Sequence, residues 1–497
     1  MIPFFISKIS EFVEHKNRCI NAHPALPPHV VPFVEVVGSN DTSQEILNKA
    51  LNIYKKANYA AILVKKETEG FVLNRLQGAL LNEAVRLHEG GFASIEDIDI
   101  ALKHALGIRW AFMGPFEIMD LNAPEGIKGI SLFLVPKIIP HKDGSLDRSN
   151  NVKCGSIEKK MGIKASPTCV MHYEDAKGWL VGDLNKGMKA MFIMMNGARL
   201  FVGIQGIGLS ETAFQSSLHY AKERVQGKLP ESKNIADPII VHPEIRKNLM
   251  FMKSMNDGIR GLMIKAGHAF DLIDTDQNQE LSESSENLIA LLTPILKSFA
   301  TDKSMEITNQ ALQIYGGHGY ITDHGMEQLV RDARITPIYE GTNGIQALDL
   351  IGRKFNIHDG LIINQYLDDI NKFLDEHKDN SKMEKFIKLF ETSYNDLKEC
   401  IDFIKRIEVT NSQEINSHAV DFLNIFALVA VGFTWLEFIG ISLSKIENKD
   451  DDFYFSKIQL GDFYLTKVIF ETQKFKNNIY SSGKLYNEFQ DKFFEAG

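Results

Sequence analysis

Apolar residues along this chain recur mostly at helical spacing, with only brief strand-like stretches. Phe71, Leu76, Leu80, Leu81 and Val85 predict a helix that opens near Glu67 and runs to about Leu87. Ser94, followed by Glu96 and Asp97, reads as the N-cap and acidic first turn of another helix. Gly129–Pro136 is an apolar strand ending at proline, and Leu180–Gly182 reads as a later strand. From about Lys186 the period turns helical and stays so. Met188–Gln226 predicts one long helix, followed by His242–Leu272 and Ser284–Tyr315, which complete a bundle. Tyr366–His377, Met383–Glu408, Ala419–Ile446 and Tyr454–Tyr480 predict further helices. The apolar run Ile425–Leu436 is bracketed by Asn424 and Glu437. It falls short of the ~20 residues of a membrane span and reads as a core helix.

Composition narrows the classes without choosing one. At 497 residues the chain should hold several domains. Its 44% hydrophobic and 24% charged content is that of a globular protein. A net charge of −9, with no basic cluster interleaved with aromatics, argues against a nucleic-acid surface. Cys19, Cys154, Cys169 and Cys400 are scattered and form no CxxC pair. This argues against a zinc ribbon or a disulfide framework, offers no metal site, and leads us to expect the cytoplasm. The apolar start, Met1–Lys8, is too short for a secretory signal.

Chemistry concentrates in two strings. In Gln313-Ile-Tyr-Gly-Gly-His-Gly-Tyr320, Gly316, Gly317 and Gly319 let backbone amides come close to an anionic ligand. In Ile338-Tyr-Glu-Gly-Thr-Asn-Gly-Ile-Gln346, one carboxylate, Glu340, sits among apolar neighbours before a Gly-Thr pair. Desolvated by a ligand, such a carboxylate becomes a competent base near neutral pH. In this order the two strings closely resemble the C-terminal domain of FAD-dependent acyl-CoA dehydrogenases. The resemblance implies that Glu340 abstracts the α-proton of an acyl-CoA. It also implies that Gln313, Gly316, Gly317 and Thr342 hold FAD and that Arg224 contacts its pyrophosphate. Asn196 and Arg199, at i and i+3, match positions used toward the acyl-CoA. An electron-transfer flavoprotein as acceptor and a homo-oligomeric state follow from the same likeness.

Upstream, four prolines between Ala22 and Glu35 force an extended path joining His23 to Glu35. A carboxylate that orients a histidine is a standard acid/base pair. From about Arg18 to Asn122, through Met113–Leu121, the chain resembles L-3-hydroxyacyl-CoA dehydrogenases of the lambda-crystallin-like branch. The likeness implies a His23–Glu35 dyad and a substrate contact at Asn74. Leu26 stands where that family usually has an asparagine. No GxGxxG precedes His23, so FAD rather than NAD is the expected cofactor.

The expected fold class is mainly α. Residues 1–35 read as a remnant of a dinucleotide-binding domain. Residues 36–122 read as a helical domain like the 3-hydroxyacyl-CoA dehydrogenase C-terminal one, and 123–184 as a partial middle β-domain. Residues 185–353 read as the acyl-CoA dehydrogenase helical bundle, and 354–497 as an extra C-terminal helical domain of the methylthiopropanoyl-CoA dehydrogenase-like type. The two likenesses meet at Asp120–Lys128, a string that could belong to either parent, which suggests a join between two neighbouring genes. With the N-terminal domain and first β-strands of the second family unmatched, one wall of the flavin site is expected to be missing. Three readings stay open at this point: a flavin-dependent acyl-CoA dehydrogenase, a relative of 3-hydroxyacyl-CoA dehydrogenase, and a non-catalytic remnant.

Overall fold

The computed structural model describes residues 5–25, 28, 31–106, 129–275, 279–410, 412–446, 451–481 and 483–495. Leu26, Met113–Leu121, the Asp120–Lys128 string and most of the Glu447–Asp452 run lie outside the described residues. The chain divides into two units, Met1–Glu125 and Gly126–Gly497.

The first unit is built on a three-stranded sheet. β1 (Ile20–Pro24) pairs antiparallel with β2 (Phe33–Gly38), which pairs parallel with β3 (Ala60–Val64). Helix α1 (Gln44–Lys56) makes the crossover between the parallel strands, and the Ser43 hydroxyl accepts from the Ile46 amide at its start. The helical pattern expected from residue 36 onward therefore begins with strand, helix and strand. Val34, Val36 and Val37 are buried, while β3 buries only Val64, so short apolar runs here are strands rather than turns of a helix.

Helix α2 (Leu73–Glu89) starts later than the spacing suggested. Phe71 precedes it, fully buried at φ 45°, and packs with Val37 and Val64. Leu76, Leu81 and Val85 are 58%, 63% and 45% exposed among the described residues. Helix α3 (Ile95–Ala101) begins at Ser94, whose hydroxyl accepts from the Asp97 amide at 3.0 Å.

The second unit opens with six short strands in three antiparallel pairs. β4 (Leu132–Leu134) pairs with β9 (Trp179–Val181), β5 (Ile138–Pro140) with β6 (Leu146–Ser149), and β7 (Val152–Ile157) with β8 (Cys169–Tyr173). The loop between β7 and β8 is tied to α7 (Met326–Ala333). Arg331 Nη1 donates to the Met161 carbonyl at 2.8 Å, and the Ile163 amide donates to Asp332 Oδ1.

The helices that follow carry the core. α4 (Gly187–Glu223), α5 (Pro243–Thr275) and α6 (Gln279–Tyr315) pack against one another. Of the five α4 glycines, Gly203 and Gly206 allow close packing within the bundle. A Cβ at Gly203 would meet Met263 at 2.8 Å, and one at Gly206 would meet the Ala300 carbonyl at 3.0 Å. Gly208 faces open space.

Beyond α8 (Asn343–Leu348) come α9 (Leu361–His377), α10 (Glu384–Thr410) and α11 (Ala419–Lys445). α12 (Asp452–Phe463) and α13 (Glu471–Tyr480) end the bundle. The single helix expected over Tyr454–Tyr480 is interrupted at Tyr464–Val468 by a π-type turn. That turn buries Tyr464, Leu465 and Val468 together, and the Tyr464 hydroxyl donates to the Leu428 carbonyl at 2.9 Å.

Among the described residues, two helices are long and apolar enough to cross a membrane, Gly187–Glu223 and Asn416–Lys445. The second is 78% buried across its most apolar window and forms the centre of the bundle, with Trp435 donating to the Ser254 carbonyl. The first is 33% buried there and leaves Ile193, Met194 and Phe201 exposed.

Candidate active site

In the second unit the site is organised by an unusual backbone. Glu340 has φ 56° and Gly341 φ 86°, two consecutive left-handed residues immediately after Tyr339. The carbon skeleton of a glutamate disfavours that conformation, so surrounding groups must hold it. Three sets do. Gln346 Nε2 donates to the Glu340 and Gly341 carbonyls, each at 3.3 Å. Lys297 Nζ donates to the Gly341 carbonyl at 2.8 Å and to Asn343 Oδ1 at 2.9 Å. The Tyr339 hydroxyl donates to Gln205 Oε1 on α4. Thr342 caps α8, its hydroxyl accepting from the Ile345 amide at 3.4 Å. Its side-chain oxygen thus has a structural use here, beside the flavin contact that the resemblance implies.

The Glu340 carboxylate itself makes no hydrogen bond or ion pair among the described residues, and the residue is half-buried. Its lone pairs are free for a proton. Arg199 lies beside this loop: a Cβ built on Gly341 would stand 3.7 Å from its Nη2. Arg199 is buried, pairs with Asp349 at 3.7 Å, and leaves its Nε without a partner. Arg353 shares Asp349 through a 2.6 Å contact. Burial pushes the Lys297 ammonium down to about 8 and raises the Asp302 carboxyl.

Asn196 is exposed on α4, three residues before Arg199. Farther along α4, at its C-terminus, Arg224 is exposed and bonded only weakly to Gln226 at 3.4 Å. One turn earlier, Tyr220 stacks on Tyr315 at 4.0 Å and bonds His318 Nδ1 at 3.0 Å. The glycine string is thereby fastened to the end of α4 that carries Arg224. Gln313, Gly316 and Gly317 are exposed, Gly316 has φ 57°, and nothing lies within 4 Å of a Cβ built on either glycine. Gly319 behaves otherwise: a Cβ there would strike the Leu312 carbonyl at 2.5 Å, so this glycine serves packing and not ligand approach.

In the first unit, His23 and Glu35 stand directly opposite in the β1–β2 ladder, and His23 Nδ1 lies 3.0 Å from Glu35 Oε2. Glu35 is fully buried, and its other oxygen accepts from the Val72 and Leu73 amides at 2.9 and 3.0 Å. One carboxylate therefore orients the histidine and caps α2. Asn74 follows in the first turn of that helix, half-buried.

Sequence reasoning passed over Lys297, Asn343, Gln346, Asp349, Tyr220 and His318. The available signal was a lysine set inside the apolar run Leu291–Phe299, where an unpaired charge is too costly to be incidental.

Four family models match the chain. Residues 185–355 match the acyl-CoA dehydrogenase C-terminal domain, and 366–489 the acetyl-CoA dehydrogenase C-terminal like domain. Residues 70–133 match the 3-hydroxyacyl-CoA dehydrogenase C-terminal domain, and 4–68 the NAD binding domain of that enzyme class. The chain thus joins acyl-CoA dehydrogenase C-terminal sequence to 3-hydroxyacyl-CoA dehydrogenase sequence.

Among particular relatives, it is 44% identical over 234 residues to the 3-methylmercaptopropionyl-CoA dehydrogenase of Ruegeria pomeroyi, covering 47% of this chain and 40% of that protein. It is also 44% identical over 117 residues to the lambda-crystallin homolog of Rattus norvegicus, covering 24% of this chain and 37% of that one. The chain spans well under two thirds of either relative's length. A solved acyl-CoA dehydrogenase of Bacillus anthracis, complexed with FAD, superposes with a TM-score of 0.54 at 20% identity over 76% of this chain and 63% of that one, and shares its fold.

Proposed function

We propose that the second unit carries the base and part of the flavin site of an acyl-CoA α,β-dehydrogenase. The observation behind this reading is Glu340, a carboxylate with free lone pairs on a left-handed loop fastened by Lys297 and Gln346. Glu340 takes the α-proton of an acyl-CoA thioester, and the buried Arg199 guanidinium stands beside the same loop. Asn196, three residues before Arg199 on α4, faces solvent and takes part in holding the acyl-CoA.

The residues present fit the diphosphate portion of FAD. Gly316 and Gly317 offer open backbone, and the exposed Arg224 guanidinium, held only by a long bond to Gln226, suits charge-assisted, bidentate bonds. Gln313 lies on the exposed face of the same segment. When bound, FAD supplies the acceptor of the β-hydride. An electron-transfer flavoprotein as the next acceptor, a homo-oligomeric assembly and a cytoplasmic location complete the proposal. The four free cysteines agree with that location. The relative named for 3-methylmercaptopropionyl-CoA supports a short thioester as substrate class.

Two variants test the assignment. Glu340→Gln should lower turnover by about 10²–10⁴-fold while the flavin stays bound. Survival of turnover would remove Glu340 as the base. Arg224→Ala should weaken flavin retention, and unchanged flavin content would remove that contact.

A further inference from the structure

We propose that Lys297 is a positioning residue for Glu340: a buried ammonium held in α6 to fix the backbone of the base loop. The inference rests on the reading of Glu340 as base. Lys297 is fully buried in a stretch of α6 that also buries Leu291, Leu292, Ile295, Leu296 and Phe299. Its Nζ donates to the Gly341 carbonyl, the first acceptor after Glu340, and to Asn343 Oδ1. Asn343 is clamped from the same helix, its Nδ2 donating to the Ser298 carbonyl at 3.1 Å and to Asp302 Oδ1 at 2.7 Å. The loop is thus bonded to α6 on both sides of Thr342. Residues 340 and 341 adopt consecutive left-handed conformations that a free chain does not hold.

An ammonium is an expensive way to fill this position. Burial lowers its affinity for the proton, offset by Asp302 on α6 and Glu340 on the loop and reinforced by Arg199 on α4. A methionine would fill similar space without that cost. Removing the lysine leaves the Gly341 carbonyl with Gln346 Nε2 and the Asn343 amide with its bonds to the Ser298 carbonyl and Asp302. The charge therefore works against the stability of the fold while holding the loop.

Hydrogen exchange by mass spectrometry on the full chain separates these effects, with Lys297→Met, and Lys303→Met as control. Lys303 sits on the same helix, paired with Glu306 and Glu471. Lys297→Met should speed exchange in peptides covering 337–348 by about tenfold or more, leave α11 within about twofold, and keep or raise the melting temperature at pH 7. Lys303→Met should leave 337–348 unchanged. Unchanged exchange at 337–348 in Lys297→Met overturns the proposal. So does acceleration everywhere with a lowered melting temperature, which marks a merely structural lysine. These readouts need no turnover, so an inactive chain would refute the proposed function without touching this result. In a turning-over enzyme, Lys297→Met should also lower kcat while leaving KM within about twofold, and an unchanged kcat counts against the proposal.

Discussion

Glu35 and Glu340 are both carboxylates that sequence patterns mark as acid/base groups, and the fold treats them in opposite ways. Glu35 is fully buried and uses both oxygens, one on His23 and one on the Val72 and Leu73 amides. Glu340 is half-buried, and the loop is held by its backbone while the carboxylate stays unbonded. A carboxylate that caps a helix is part of the frame, because moving its charge releases two amides. A carboxylate fixed only through its main chain can take a proton without disturbing the fold. The contrast marks the first unit's Glu35 as part of the frame and accords with the proposed role of the second unit's loop.

Substitutions at the two carboxylates can break that contrast. Glu340→Ala should leave the melting temperature of the second unit close to native while abolishing any dehydrogenation. A large loss of stability there would show that Glu340 is also part of the frame. The next largest effect concerns pH. Lys297 has a folded pKa of about 8, below its ordinary 10.5. The unfolded chain thus binds more protons between these values, so this group makes stability rise from about pH 8 to 10.5 and contributes a constant cost below pH 8. At 1.36 kcal/mol per unit the span is about 3 kcal/mol. Lys297→Met should flatten that rise in urea unfolding measured across the window, and parallel curves would contradict it.

Smaller effects belong to the first unit. Glu35→Ala should destabilise it by about 1–2 kcal/mol, since it removes a cap and leaves the Val72 and Leu73 amides without their acceptor. An unchanged unfolding midpoint for that unit would return Glu35 to a purely catalytic role. Ser94→Ala should cost about 1 kcal/mol or less through loss of the α3 cap, read as faster exchange over 95–101.

Much of the second unit was legible in the sequence because its helices are long. Met188–Gln226 and Ser284–Tyr315 fall within a few residues of Gly187–Glu223 and Gln279–Tyr315. Over such lengths the 3.6-residue period outweighs local noise. Short elements were legible only in part: strands near β4 and β9 and the helix after Ser94 were expected, and others were not. β3 passed unnoticed because an apolar run of five residues fits a strand or a helix turn equally well. The break at Tyr464–Val468 was hidden because a π-type turn keeps helical composition on both sides.

The chemistry followed a similar division. Glu340 and the glycine string stand out by composition, and His23 and Glu35 by their proline-rich setting. Lys297, Asn343 and Gln346 act through contacts formed across more than forty residues or around a left-handed turn. No local pattern announces such partners. Gly319 was misread for the same reason, since only the fold reveals the Leu312 carbonyl against it.

The most direct test of the account is the visible spectrum of the full chain purified with FAD, before and after anaerobic addition of short acyl-CoA thioesters. We predict a retained flavin band that bleaches with an acyl-CoA in the native chain and stays unbleached in Glu340→Gln. A chain that retains no flavin, or a Glu340→Gln variant that bleaches like the native protein, would contradict it.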